Sequence, residues 1–353
     1  MTTWRIAVLP GDGIGPEVVS AGLRVLAAIA ERFALRFRLS EYPIGGAGVA
    51  AHGDPFPAVT RDAVRQADAV LLGAVGDPSL DSAPRHLKPE TGLLALRALL
   101  GVYANLRPVA IHPALADSSP VRPERLVGTD MVIVRELTGG LYYGEPRSND
   151  GTTAVNTLRY TRAEIERIAR LGFELAKGRR RKLLSVDKAN VLETSQLWRQ
   201  VVTTMASAYP EVQVEHIYVD YAAMRLVSDP ASIDVLLTEN MFGDILSDEA
   251  AVLAGSLGLL PSASLGDGTG LFEPIHGSAP PLAGKDIANP IGTIASLALL
   301  LRHSLKQAEP ALAIEKAIHR VLAEGARTRD IARPGDTVLG TRAMAERIVA
   351  ALG

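Results

Sequence analysis

Cysteine is absent from the 353 residues. That excludes a disulfide framework, a thiolate nucleophile and any zinc or iron–sulfur centre held by sulfur. A reducing cytoplasm is the compartment that fits. Net charge is almost absent too. The 37 basic and 39 acidic residues leave −2 at pH 7, so no global field draws the chain to nucleic acid or anionic lipid, and any anionic ligand must be met by local arginines. Long apolar runs are missing. The longest late one, residues 294–301, is far short of the roughly 20 residues that cross a membrane. The start of the chain enters a strand-like WRIAVL without the basic-then-apolar pattern of a secretory signal. No nucleic-acid partner and no membrane are expected, and no P-loop lysine motif points to phosphoryl transfer.

The length suggests two domains, each with a substantial core. Hydrophobic residues make up 47% and charged residues 22%, ordinary for a globular chain. Apolar strand-like runs (residues 6–9, 69–72 and 131–134) alternate with helix-period stretches, which predicts an α/β fold with its sites on loops at strand ends. The basic run KGRRRK at 177–182 is predicted to close a helix over 163–177, where cations complement the dipole. Residues 140–152 mix glycines, polar residues and aromatics like an arm or hairpin. The glycine-rich passage 262–290 reads as an unusually long functional connector.

Several short segments carry chemistry. VLPGDGIGPEV (8–18) has the strand-then-helix context of a dinucleotide turn, yet the third glycine of G-x-G-x-x-G falls on Pro16, so the motif is weak. In NMFGDILSDEAA (240–251), Asp244 and Asp248 are four apart and share one helix face. Their hard oxygens suit Mg²⁺ or Mn²⁺, and the surrounding Met241, Phe242, Ile245 and Leu246 argue against a plain solvated face. Arg97, Arg107 and Arg135 lie in apolar or tight settings, and converging guanidinium forks suit a small polycarboxylate. Lys188 follows a strand-like LLSVD, where desolvation or a nearby cation would make it a general base. Tyr142 and Tyr143 sit in the suspected arm. His276, Gly277 and Ser278 form a turn able to approach a cofactor closely.

Together the segments PETGLLALR, ANLRP, RELTGGLYYGEPR, SVDKANVLE, YVD, FGDILSDEAA, FEPIHGSAP and IANP, in this order along nearly the whole chain, resemble the isocitrate/isopropylmalate family of β-decarboxylating dehydrogenases. The resemblance implies two α/β domains around one large shared sheet rather than a Rossmann fold. Residues 1–102 plus 255–353 would bind the cofactor, and 103–254 would carry a dimer interface and the arm. It implies that NAD is held by Ile14, Asp77, Glu273, His276, Gly277, Ser278, Ala279 and Asn289, so the first glycine loop would line the cofactor cleft without cradling a pyrophosphate. It assigns the divalent metal to Asp220, Asp244 and Asp248, and the substrate to Glu90, Leu93, Leu94, Arg97, Arg107, Arg135, Asn190, Val191 and Asp220.

Tyr142 and Lys188 would move protons, with Lys188 and Asp220 coming from the partner in a homodimer with shared sites. Leu93 and Leu94 suit an isopropyl group, whereas isocitrate-type members use a serine and an asparagine there and Glu90 would repel a third carboxylate. The expected reaction is therefore oxidative decarboxylation of 3-isopropylmalate in leucine biosynthesis. A sister activity on another 3-alkylmalate, tartrate or malate is the alternative. A non-catalytic nucleotide-binding paralogue is disfavoured, because Tyr142, Lys188 and all three aspartates are present. One departure stands out: NAD-using members often place a ribose-binding aspartate where this chain has Pro281, with Asp286 the nearest replacement acid.

Overall fold

Aliphatic runs and helix-period stretches alternate through the computed structural model, which describes residues 2–353. The first part of the chain forms β1 (Thr3–Gly11), α1 (Gly15–Arg32), β2 (Arg36–Glu41), α2 (Gly46–His52), α3 (Ala58–Gln66), β3 (Ala69–Ala74) and α4 (Pro89–Leu100). The middle forms β4 (Ala104–Ala110), α5 (Pro123–Leu126), β5 (Asp130–Glu136), β6 (Ser148–Asn149), β7 (Ala154–Val155), α6 (Arg162–Lys177), β8 (Lys182–Asp187), α7 (Glu193–Ala206), β9 (Gln213–Tyr218), α8 (Val219–Ser228), β10 (Val235–Thr238) and α9 (Asn240–Leu253). The last part adds β11 (Pro261–Leu265), β12 (Gly270–Pro274), α10 (Ile291–His303), α11 (Ala308–Ala323) and α12 (Thr341–Ala351). The chain divides into two compact units, one of residues 1–102, 112–118 and 255–353, the other of 103–111 and 119–254. Each unit carries five strands of mixed sheet, as the α/β reading expects.

In the first unit the strand order is β2-β1-β3-β12-β11, parallel except for β11 against β12. Every residue of β3 is buried, because both faces of the sheet are covered, and its AVLLGA sequence is accordingly apolar without alternation. One face packs Leu9, Ile44, Leu72 and Leu96 together. Helix α10 packs against β11, β12 and α11 and is apolar on nearly all sides, with ten of its thirteen residues buried. The apolar run at 294–301 is thus a core helix. Residues 262–290 are not one long connector: β11 and β12 lie within them. Serines and glycines dilute the apolar signal of these strands, and the buried Ser262 hydroxyl is satisfied by donating to the Glu273 carbonyl at 3.0 Å.

In the second unit the order is β4-β5-β10-β8-β9, with β4 antiparallel to β5 and the rest parallel. The core joins Met131, Ile133, Leu184, Leu236, Leu246 and Leu253. Helix α6 opens with a capping box in which Thr161 and Glu164 satisfy each other's backbone N–H. Past its end Arg179 bridges Asp130 at 2.9 Å and the fully buried Asp234 at 2.8 Å, so part of the basic run serves the fold. A short exposed hairpin of β6 and β7 forms the predicted arm. Because β5, β10 and β8 are parallel, Arg135, the start of α9 and Lys188 all emerge at the C-terminal ends of strands, where α/β sheets carry their sites. Among the described residues no helix is long and apolar enough to cross a membrane.

Candidate active site

In the second unit, α9 begins at Asn240, with the Glu239 carboxylate accepting the Phe242 N–H at 2.7 Å as its cap. Asp244 and Asp248 then stand one turn apart, as their spacing predicts. Both are met by arginines. Arg135, only 5% exposed, is ion-paired with Asp244, and Arg107 donates to Asp248 at 2.8 Å and to the Ser247 hydroxyl at 2.8 Å. Arg107 also approaches Asp244 at 3.9 Å. The Tyr142 hydroxyl donates to the other oxygen of Asp244 at 3.0 Å. Gly243 is small for a packing reason: a Cβ there would lie 2.6 Å from Cγ of Arg135, so the arginine stem runs along the bare helix backbone.

Burial, and secondarily the hydrogen bond to Asp244, hold the Tyr142 phenol above its ordinary pKa, so it remains a proton donor at neutral pH. Lys188, at the end of β8, is ion-paired with Asp220 in the first turn of α8. That hydrogen bond keeps the Asp220 carboxyl below the usual carboxylate range. Asn190 and Val191 follow in an exposed turn, Val191 being 65% exposed. Two of the three predicted metal ligands therefore lie together and the third is paired with the lysine. Among the described residues no group of three or more acidic or histidine side chains gathers at a metal-sized site.

In the first unit, Glu90, Leu93, Leu94 and Arg97 follow the i, i+3, i+4, i+7 spacing of one α4 face. Arg97 is ion-paired with the buried Glu273 at 3.0 Å, and its Nε is buried with no partner. Leu94 is exposed and Leu93 half-buried. The first glycine loop is held close to the HGSAP turn: the Ile14 N–H donates to the Ser278 carbonyl at 2.8 Å. Gly13, at φ +57°, lies so near that a Cβ would come 2.7 Å from the Ser278 carbonyl carbon.

His276 has its Nδ1 beside the Gly277 carbonyl at 3.0 Å while its buried Nε2 has no partner, and burial lowers its pKa. An orphaned ring nitrogen in a loop this close to a glycine backbone fits a polar ligand edge. Asn289 accepts the Ile291 N–H at 3.0 Å and donates to Asp330 at 3.0 Å. Asp77 caps a short turn through Ser79 at 2.9 Å. Asp286 does not stand free as a replacement acid: its carboxylate accepts the Arg342 N–H at 2.9 Å at the start of α12.

Three residues of this framework are not visible in the sequence pattern. Asp12, 9% exposed, gathers the N–H groups of Gly46, Ala47 and Gly76 at 2.8–2.9 Å and so ties three loops together. Asp330 anchors Asn289, and Asn240 holds Arg135. An acid between two glycines is the available signal for Asp12. Asp330 and Asn240 act on residues 41 and 105 positions away, which no local pattern reports.

In the second unit, the paired carboxylates of α9 and the guanidiniums of Arg107 and Arg135 form a charged cluster at the C-terminal ends of parallel strands, the chemistry that receives a small anionic ligand. Residues 5–348 match the isocitrate/isopropylmalate dehydrogenase family, and the chain belongs to it. It is 55% identical to a 3-isopropylmalate dehydrogenase of Gloeobacter violaceus, covering 99% of this chain and 98% of that one. Identity is also 55% to a 3-isopropylmalate dehydrogenase of Anaeromyxobacter dehalogenans, over 98% of each chain. Among solved structures it resembles the isocitrate dehydrogenase of Methylococcus capsulatus, with a TM-score of 0.87 at 35% identity over 99% of both chains. It also resembles a beta-decarboxylating dehydrogenase of Thermococcus kodakarensis, with a TM-score of 0.82 at 38% identity over 99% and 96%.

Proposed function

We propose that the chain catalyses NAD-dependent oxidative decarboxylation of (2R,3S)-3-isopropylmalate to 4-methyl-2-oxopentanoate and CO₂, a step of leucine biosynthesis. The observation that carries this reading is the cluster of Asp244 and Asp248 with Arg107, Arg135 and Tyr142. Two carboxylates and two guanidiniums there neutralise one another. A divalent cation that takes the aspartates leaves two positive charges for the two carboxylates of a malate, with Arg97 as a further guanidinium. Metal and dianion thus replace the internal pairs without leaving net charge in the cluster.

Asp220, Asp244 and Asp248 would hold Mg²⁺ or Mn²⁺, which would supply Lewis acidity to the substrate oxygens, and NAD would supply the hydride acceptor. With Asp220 taken up by the metal, Lys188 acts as the neutral amine and takes the C2 hydroxyl proton at Nζ. Tyr142 gives its phenolic proton to C3 once CO₂ has left, a role that suits its raised pKa. Arg97, Arg107 and Arg135 fix the carboxylates, while Asn190 and Val191 complete the substrate site. Leu93 and Leu94 receive the isopropyl group and Glu90 repels a third carboxylate. Ile14, Asp77, Glu273, the 276–279 turn and Asn289 hold NAD.

The working form is a homodimer. Tyr221, Met224, Val227, Ile245 and Val252 on α8 and α9 are 46–66% exposed, more apolar surface than two neighbouring helices normally leave in water. A second copy covering this face would also bring its Asp220 and Lys188 to complete the metal and proton-transfer sets.

The test is nucleotide reduction by the purified protein with 3-isopropylmalate and Mg²⁺, NAD and NADP in parallel, against isocitrate, tartrate and malate. Turnover with 3-isopropylmalate and NAD supports the reading. Turnover only with another malate moves the assignment to a sister activity.

A further inference from the structure

Arg135 holds a position that its own strand does not dictate. Its Nε and Nη2 both donate to Oδ1 of Asn240, at 3.1 and 2.9 Å, so one whole edge of the guanidinium rests on a single amide oxygen. The Asn240 amide is itself fixed. Its Nδ2 donates to the Gly139 carbonyl at 3.1 Å, and its backbone N–H donates to the Tyr160 hydroxyl at 3.0 Å. Tyr160 lies between two buried carboxylates, 3.3 Å from Glu136 and 3.3 Å from Glu239. Glu136 accepts the N–H groups of Thr138 at 2.9 Å and Gly139 at 2.7 Å, and so holds the loop whose carbonyl orients Asn240. Asn240 is 1% exposed.

The choice of an amide has a chemical consequence. An aspartate here would accept the same two hydrogen bonds from Arg135. It would also neutralise the guanidinium, and it would set a carboxylate oxygen against the Gly139 carbonyl with no N–H between them. An amide oxygen directs the guanidinium and leaves its charge in place.

We propose that Asn240 is a positioning residue that aims the Arg135 guanidinium at a carboxylate of the substrate while preserving its positive charge. This rests on the assignment of Arg135 to substrate binding. The buried chain Glu136–Tyr160–Glu239 holds Asn240 in register, and Asn240 in turn acts on substrate affinity through Arg135.

The experiment compares Asn240→Ala, Asn240→Asp, Arg135→Ala and the double variant Asn240→Ala/Arg135→Ala in steady-state kinetics with 3-isopropylmalate, alongside thermal unfolding. Asn240→Ala is expected to lower kcat/KM for the malate by roughly 10–100-fold, the usual cost of losing an outer partner of a binding group. The loss should fall mainly in the substrate KM, with the KM for NAD within about twofold of the parent. Asn240→Asp keeps the shape and the two bonds accepted from Arg135, so it should fold with a lowered thermal midpoint from the clash with the Gly139 carbonyl and show the same substrate defect. In the Arg135→Ala background, Asn240→Ala should add nothing further.

Unchanged substrate KM in both folded Asn240 variants, with Arg135→Ala impaired, overturns the proposal alone. Additive losses in the double variant also overturn it. If Arg135→Ala itself leaves substrate KM unchanged, the assignment of Arg135 falls, and the proposal with it. Should Asn240→Ala fail to fold, Asn240→Asp carries the same test.

Discussion

If a second copy completes the site, two inactive variants should repair each other. Lys188 and Asp220 contact one another, whereas Asp244 and Asp248 engage Arg107, Arg135 and Tyr142. Lys188→Met removes the proton acceptor, worth on the order of 10²–10⁴ in rate, and Asp248→Ala removes a metal ligand from the other set. Either homodimer should therefore run at or below about 1% of the parent. In a mixed dimer, one site takes Asp248 from the first chain and Lys188 from the second and is intact, while the other lacks both. Random reassociation makes half the dimers mixed, so activity should recover to about one quarter of the parent. The assay is NADH formation after co-expression with two affinity tags, or after joint unfolding and refolding. A tandem-purified mixed dimer no more active than its parents would refute the shared site and return Lys188 and Asp220 to roles within one chain.

His303 is half-buried at the end of α10, and desolvation together with Arg302 and Lys306 pushes its pKa down to about 4. A histidine held neutral stabilises the fold above its unfolded value near 6.5, and this contribution, up to about 3 kcal/mol, is lost as pH falls toward 4. His303→Gln should therefore flatten the loss of urea stability between pH 6.5 and 4; an identical pH dependence would remove His303 as the cause. Gly13→Ala forces a side chain onto the Ser278 carbonyl at positive φ, a strain of about 1–3 kcal/mol. The KM for NAD should rise roughly tenfold with little change in substrate KM, and equal effects on both would contradict the loop's assignment. Leu93→Ser with Leu94→Asn should lower kcat/KM for 3-isopropylmalate relative to malate by roughly 10–100-fold, read in competition assays; an unchanged ratio would place the isopropyl group elsewhere.

Much of this framework is legible in the order of the amino acids. Strand β3 reads as an uninterrupted apolar run because it is covered on both faces, and the KGRRRK run marks the end of α6. Strands β11 and β12 are not legible in this way. They contain Ser262, Ser264 and Gly270, polar or small residues that suit a buried strand only once their neighbours are known. The residues nearest the chemistry carry their own pattern. Those that hold them do not: Asp12, Asn240 and Asp330 look like ordinary polar residues until the loops they bind come into contact.

By itself the sequence determined what helical and strand periods can determine. Asp244 and Asp248 had to share a face of α9, Glu90, Leu93, Leu94 and Arg97 had to share a face of α4, and a chain without cysteine had to bind any metal through oxygen or nitrogen. Only the tertiary structure decided which charges met. Arg135 reaches Asp244 across 109 positions, Arg107 reaches Asp248 across 141, and Arg97 reaches Glu273 across 176. Local propensity has a range of a few residues, whereas ion pairs form through space. Their partners are therefore set by strand order and by the burial that makes an unpaired charge too costly to leave.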